Sequence, residues 1–220
     1  MPEPAPALVA PQFESATQQR QASLLGMWIF LSTETLLFGG ALLGYAVYRM
    51  QHAEAFAAAG RHTLLLAGTC NTAILLLSSY LVARAVQRME DEEGRGARAA
   101  VPRLLTFAVA LGTLFLVIKG FEYAHEIREG LFPGAAFHIE GRDPQAQQMF
   151  FILYFTLTAL HAVHVTIGML LLAFCAWKVH RSSAPQRLAT LVDLTGLYWH
   201  FVDLVWVFLF PLFYLLGRSP

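Results

Sequence analysis

Long stretches without charged side chains are the feature that most constrains how this chain can fold. Residues 62–83 and 144–177 contain no Asp, Glu, Lys or Arg, and residues 21–48 and 194–217 contain one charged residue each. The hydrocarbon core of a bilayer is about 30 Å thick and is crossed by about 20 apolar helical residues. The four stretches therefore predict four membrane-spanning helices, because a helix in a soluble core rarely needs such a length.

A fifth segment is less clearly apolar. Residues 104–118 are uncharged but too short to cross a bilayer, and they reach full length only if Lys119 and Glu122 are included. The predicted fold is all-α, a polytopic bundle of five transmembrane helices in a single domain over residues 24–217, after an extramembrane tail over residues 1–23. The five predicted spans cover residues 24–48, 63–87, 102–127, 148–178 and 194–217.

The charge distribution excludes some functions and predicts an orientation. Charged residues make up 14% of the chain, against about 25% in soluble domains, and the net charge is zero. The chain therefore has no basic surface for nucleic acid. Lys and Arg favour cytoplasmic loops. The N-terminal tail with the second and fourth loops carries nine of them and the opposite side five, which predicts a cytoplasmic N-terminus and a C-terminus outside.

Glu34 is an ionisable residue near the centre of the first predicted span. It lies ten residues into that helix, which at a rise of 1.5 Å per residue is about 15 Å deep. An ionisable side chain at that depth is costly unless it is paired or hydrated. Its sequence neighbours supply hydroxyl groups but no positive charge. Two interpretations stay open: a protonated acid bonded to another helix, or a group that handles protons or faces lipid.

Two pairs of polar residues repeat the same spacing in the fourth and fifth spans. His161 and His164 are three residues apart, as are His200 and Asp203, so each pair shares one helical face. Because the two spans run in opposite directions and the pairs lie at similar depth, all four groups are expected to meet in an intramembrane polar network. A metal site is the alternative, since histidine is a frequent metal ligand.

Other polar groups lie near the outer end of the third span. Lys119 and Glu122 are three residues apart and are expected to form an interfacial ion pair, with His125 and Glu126 nearby. The lysine stem is expected to reach outward to the membrane surface. In the first span, Gly40-xxx-Gly44 predicts a smooth face for close helix contact.

Three classes of function are compatible with these residues. One is a membrane cytochrome that uses histidines on facing helices as haem ligands. The second is a transporter or proton channel centred on Glu34, although the chain has no inverted repeat. The third is a non-catalytic bundle that packs against a larger membrane enzyme. No G-x-S-x-G or H-E-x-x-H motif indicates a membrane hydrolase.

Five motifs, in order along the chain, resemble the haem-copper oxidase subunit III family. Tyr-Trp-His-Phe-Val-Asp-Leu-Val-Trp over residues 198–206 is nearly the family's W-H-F-V-D-x-V-W signature. Residues 158–168 are similar to its T-G-x-H-x-x-H-V-x-x-G element. Residues 26–40 resemble the family helix that carries a buried Glu, here Glu34. Asn71-Thr72 and Phe121-Glu122-Tyr123 are similar to elements of two further family helices, which lie between those that carry residues 26–40 and residues 158–168.

The resemblance implies a subunit of a respiratory complex. Family members of this kind carry no haem or copper, pack on the catalytic subunit, bind phospholipid in a cleft, and support proton uptake and sustained turnover. Their partners in the complex are subunits I and II. The complex passes electrons to oxygen and pumps protons, with haem and copper in the partner subunits. By this resemblance the chain has no catalytic, cofactor-binding or metal-binding residues of its own. Glu34 would be the family's buried acid.

The branch of the family is a further prediction. Glu34 resembles the branch that oxidises cytochrome c more than the quinol oxidases, which also include five-helix forms. Lys119 within Ile-Lys-Gly-Phe-Glu-Tyr also resembles an accessory subunit of nitric oxide reductase with the same five helices. We favour a cytochrome c oxidase in the cell's inner (cytoplasmic) membrane, active in aerobic electron transport, over that denitrification enzyme.

Overall fold

The computed structural model describes residues 9–90, 97–134, 137–139 and 143–218. Helices account for most of these residues, and no β-strand occurs in the described ranges. The helices, in chain order, are α1 (Ala16–Gln51), α2 (Ala53–Gly60), α3 (Leu65–Glu90), α4 (Ala97–Arg128), α5 (Pro144–Arg181) and α6 (Ala189–Phe210), and α6 continues into a π-helical turn (Pro211–Leu215).

Five of the helices are long and apolar enough to cross a membrane, which confirms the predicted bundle. Helices α1 and α5 begin before the predicted spans, because their capping residues lie outside the apolar stretch. Ser15 caps α1 by accepting a hydrogen bond from the Gln18 backbone N–H, so residues 16–23, predicted as tail, are helical. Residues 1–8 of that tail lie outside the described ranges. Asp143 caps α5 in the same way, through the Ala146 N–H.

Helix α2 was not predicted from the sequence. Its eight residues are too short for a span and lie in the connection from α1 to α3. The Phe56 ring packs edge-on against Phe150 of α5, with ring centroids 5.6 Å apart. The chain after α6 passes so close that a Cβ on Gly217 would come within 2.7 Å of the Ala57 carbonyl oxygen. Glycine at position 217 permits this approach.

The core of the bundle lies between α3, α4, α5 and α6. Trp199 and Trp206 of α6 are fully buried there. The Trp199 ring fits between two helices because they carry glycine where it passes. A Cβ on Gly168 of α5 would come within 2.7 Å of Trp199 Cε3, and one on Gly112 of α4 within 3.0 Å of its Cη2. Small residues let helices approach closely in a membrane.

Helix α1 packs more loosely than the others, with 11% of its apolar window buried against 50% for α6. Side-chain hydrogen bonds tie it to α5, α6 and the turn after α6. They join Arg20 to Asp193 (3.0 Å), Glu34 to His164 (3.0 Å), Tyr45 to the Leu212 carbonyl (2.7 Å) and Arg49 to the Leu216 carbonyl (3.2 Å).

The glycine face of α1, predicted from Gly40-xxx-Gly44 to make a close helix contact, makes none with the other described helices. No atom lies within 4 Å of a Cβ placed on Gly39, Gly40 or Gly44, so this face makes no close helix contact within the described chain.

Candidate functional site

Glu34 is paired with His164 across the α1–α5 interface. The Oε2 atom of Glu34 lies 3.0 Å from Nε2 of His164, and the two side chains are 17% and 11% exposed. The other ring nitrogen, Nδ1, lies 2.8 Å from the Leu160 carbonyl oxygen. A carbonyl can only accept, so Nδ1 carries a proton and donates it to that bond.

This geometry leaves one proton to be shared between Glu34 and His164. Either a protonated Glu34 donates to a neutral imidazole, or an imidazolium Nε2–H donates to the carboxylate. Both arrangements satisfy the hydrogen bond without moving a helix. The pair is therefore a close hydrogen-bonded contact between two ionisable groups on neighbouring helices. A bond from Glu34 to another helix was one of the two interpretations of the sequence, which did not identify His164 as the partner.

The other three residues of the predicted network are placed apart from this pair. His200 Nδ1 lies 2.7 Å from the Ser79 hydroxyl of α3. The His161 ring stacks on Trp206 at 5.3 Å and meets the edge of Phe115, and neither of its nitrogens has a hydrogen-bond partner among the described residues.

Asp203 lies beside His200 but makes no direct bond to it. This residue is 4% exposed, and its polar neighbour is Ser79, whose hydroxyl also contacts His200. The expected direct bonding of the four groups is therefore not what the described contacts show. A spacing of three residues places two side chains on one side of a helix, but His164 bonds to α1 and His200 bonds to α3. The partner of each histidine therefore depends on a helix outside the α5–α6 pair, which is α1 for His164 and α3 for His200.

Lys119 is the centre of the most extensive buried polar cluster. Its ammonium Nζ donates to Glu122 Oε2, Tyr154 Oη and Tyr214 Oη, each at 2.9 Å. An ammonium group has three N–H donors, so all of them are used. The Tyr214 hydroxyl in turn donates to Glu122 Oε2 at 3.0 Å. We call these four residues the Lys119 cluster.

The predicted Lys119–Glu122 pair forms, and its position at the membrane interface stays a prediction. The side chains of Lys119 and Glu122 are 6% and 0% exposed, so the pair lies inside the bundle and the lysine stem does not extend to the surface of the chain. The reason is tertiary, because Tyr154 of α5 and Tyr214 of the turn after α6 cover the pair. Glu126, one helical turn further on, is also buried, and its polar neighbours are Tyr154 and Lys119 of the same cluster. Apart from being polar aromatic residues, Tyr154 and Tyr214 show no feature in the sequence that predicts their contact with Lys119.

These features define a class of protein. It is a multi-pass helical membrane protein in which ionisable side chains lie between helices, four of them in two close pairs. In the part of the chain that the structure describes, no three His, Cys, Asp or Glu side chains are grouped so that they could hold a metal ion.

The chain belongs to the cytochrome c oxidase subunit III family, whose model matches residues 15–218. Cytochrome c oxidase subunit 3 of Thermostichus vulcanus is 29% identical over 199 residues, which cover 89% of this chain and 88% of the relative. The cytochrome bo(3) ubiquinol oxidase subunit 3 of Pseudomonas putida is also 29% identical, over 90% of this chain and 87% of the relative. A probable quinol oxidase subunit 3 of Staphylococcus haemolyticus is 28% identical, with coverage of 93% and 94%.

The family predicted from the motifs is thus confirmed, and the chain is a haem-copper oxidase subunit III. Members of this family are parts of oxidase complexes, which implies partner oxidase subunits. The relatives include both cytochrome c and quinol oxidases, so the family match alone does not select the electron donor. Nitric oxide reductase, the alternative derived from the Lys119 motif, stays a prediction.

Proposed function

We propose that this chain is the non-catalytic subunit III of a respiratory cytochrome c oxidase in the cytoplasmic membrane of its cell. It packs on catalytic subunit I in a complex that also contains subunit II, with its N-terminus on the cytoplasmic side. Haem and copper reside in those partners, which carry electrons from cytochrome c to oxygen. The chain itself supports proton uptake, binds phospholipid and sustains turnover.

The observation that carries the proton-related part is the Glu34–His164 pair. Both groups are ionisable, their polar atoms are 3.0 Å apart, and His164 Nδ1 is fixed as a donor by the Leu160 carbonyl. A pair that can hold its proton on either partner can accept and release protons with little reorganisation. Its position on α1, the least buried of the spans, leaves it close to the surface of the bundle, where a partner subunit or lipid would meet it.

The complex is tested by mild-detergent purification of the tagged chain from native membranes, followed by a visible spectrum of the eluate. Co-purification with a-type haem, copper and subunits I and II, together with oxidation of reduced cytochrome c, is the expected result. A complex that oxidises only quinol would contradict the proposed electron donor. Elution with b- and c-type cytochromes that reduce nitric oxide would assign the chain to nitric oxide reductase, and a chain that elutes alone with its own haem would overturn the proposal.

Replacing Glu34 with glutamine tests the proton-related role. Glutamine keeps the size and a hydrogen bond to His164 but cannot release a proton. We expect E34Q to assemble with its partners as the unchanged chain does, while turnover of the complex declines several-fold faster during continuous oxygen consumption. The measurement is oxygen uptake over many turnovers, with subunit content checked by gel. E54Q, an exposed change on α2, is the control. Unchanged turnover in E34Q would show that Glu34 is only a packing residue.

A further inference from the structure

Glu126 adds a second carboxyl group to the polar groups around Lys119. It lies on the same side of α4 as Lys119 and Glu122, seven residues beyond the first and four beyond the second. Glu126 and Glu122 are 0% and 1% exposed, so neither side chain is in contact with solvent. The polar neighbours of Glu126 include Lys119 and Tyr154. Two buried carboxyl groups therefore lie beside a single ammonium group.

Lys119 can compensate the charge of only one of these carboxyl groups. Its three N–H donors are used by Glu122, Tyr154 and Tyr214, so none is left for Glu126. The two tyrosine hydroxyls are neutral at ordinary pH and add no positive charge. If both carboxyl groups were ionised, the site would hold a net negative charge between the helices. An uncompensated charge away from water is so costly that such a group takes up a proton instead.

The other groups that face Glu126 supply no further positive charge. On α4 and directly after it they are Tyr123, which is neutral, and Glu129, which is negative. The facing group from α5 is Tyr154, and the one from the turn after α6 is Tyr214. In the described residues of α3 and of the α4–α5 connection, no additional charged side chain acts on Glu126. A proton is therefore the group that can balance the second carboxylate.

One oxygen of Glu122 is available to bond a protonated carboxyl group. Glu122 Oε2 accepts from Lys119 and from Tyr214, while its Oε1 is buried and has no hydrogen-bond partner among the described residues. Glu126 lies one helical turn away, the spacing at which side chains of a helix meet. A proton on either carboxyl group gives the same neutral site, with one ammonium, one carboxylate and one carboxylic acid.

We propose that Glu122 and Glu126 form a proton-binding site, in which the two carboxyl groups share one proton beside Lys119. The site holds this proton at neutral pH. As the pH rises, it releases the proton to water at the end of α4, where Glu129 is exposed. The site has no residue in common with the pair on α1 and α5, and the inference does not depend on the oxidase assignment.

Infrared spectroscopy tests the proposal by counting protonated carboxyl groups. A carboxylic acid has a C=O band that carboxylates and amides lack, and this band moves to lower frequency in D₂O. The full-length chain is measured in detergent micelles at neutral pH, with the band intensity expressed per chain. E126Q is expected to lose the intensity of one carboxylic acid. E122Q is expected to lose the same intensity, because Glu126 then becomes the carboxylate that balances Lys119.

E129Q is the matched control, since it makes the same change at an exposed position one helical turn beyond Glu126. It is expected to keep the full band. Circular dichroism checks that each variant is folded. Loss of the band in E126Q but not in E122Q would indicate an isolated buried acid and would overturn the shared site. Equal intensity in both variants and the unchanged chain would show two ionised carboxylates and would also overturn it.

A second measurement leaves Glu122 and Glu126 unchanged. The only other acids in the five spans are Glu34, Asp203 and Asp193, and Asp193 is paired with Arg20. In E34Q/D203N, the carboxylic acid band at neutral pH is therefore expected to have the intensity of one group and to disappear reversibly at alkaline pH. Absence of the band at neutral pH would contradict the proposal. Both measurements use the chain alone, whereas the purification of the complex tests the oxidase assignment.

Discussion

Replacing Lys119 with methionine is expected to destabilise the folded chain by about 3–5 kcal/mol, the cost of leaving a buried charge without its partner. Lys119 supplies the positive charge of its cluster and donates to three oxygens at once. Methionine fills a similar volume, so the loss arises from the missing charge and hydrogen bonds. The Glu122 carboxylate, which is 0% exposed, would keep only the Tyr214 hydroxyl as a donor.

The measurement is the free energy of unfolding in mixed micelles titrated with a denaturing detergent, followed by circular dichroism. K178M is the matched control, because Lys178 is exposed near the end of α5 and contacts the Phe174 ring. We expect that control to change the free energy of unfolding by less than about 1 kcal/mol.

The double variant K119M/E122L separates charge burial from packing. It removes both charges and leaves Tyr154 and Tyr214 facing each other, with hydroxyl oxygens already 3.3 Å apart. Replacing a whole buried ion pair by apolar residues is often neutral, so most of the stability lost in K119M is expected to return. A double variant as unstable as K119M would show that the loss does not come from the Lys119–Glu122 charge pair, but from the shape of the cluster or from the buried Glu126, which both variants leave without Lys119.

The second large effect is expected from Gly168→Leu, which would destabilise the bundle by about 3 kcal/mol, toward the upper end of overpacking costs. Even the first added carbon would come within 2.7 Å of the Trp199 ring. Trp199 cannot withdraw, because it is fully buried and Gly112 of α4 faces it from another side. The substitution would therefore separate α5 from α6.

Gly39→Leu is the matched control for this prediction, since it places the same side chain on a membrane-spanning helix. No atom of the described chain lies within 4 Å of a Cβ at Gly39, so we expect little loss of stability in the isolated subunit. Both variants are compared by the same micelle titration. If Gly39→Leu proved as harmful as Gly168→Leu, the cost would come from the helix itself and not from Trp199.

The sequence predicted the number and type of the helices because the bilayer imposes a simple rule. A backbone that crosses hydrocarbon must satisfy its own hydrogen bonds and carry apolar side chains, so charge-free runs of sufficient length become helices. The third span was the difficult case, since Lys119 and Glu122 interrupt it. Its full length was predicted by including these two residues, because the uncharged stretch alone is too short to cross a bilayer. Helix α2 was not predicted, because its eight residues are too few to show a clear helical pattern of apolar side chains.

What the sequence by itself determined about this protein is its five-helix plan, its family and the identity of its intramembrane ionisable residues. Only the tertiary structure decided which of them meet: Glu34 with His164, His200 with Ser79, and Lys119 with Tyr154 and Tyr214. Spacing along one helix fixes the side on which a group lies, but its partner depends on the rotation and depth of the neighbouring helices. Those are set by contacts such as Trp199 against Gly112 and Gly168, which are far apart in sequence and leave no local pattern.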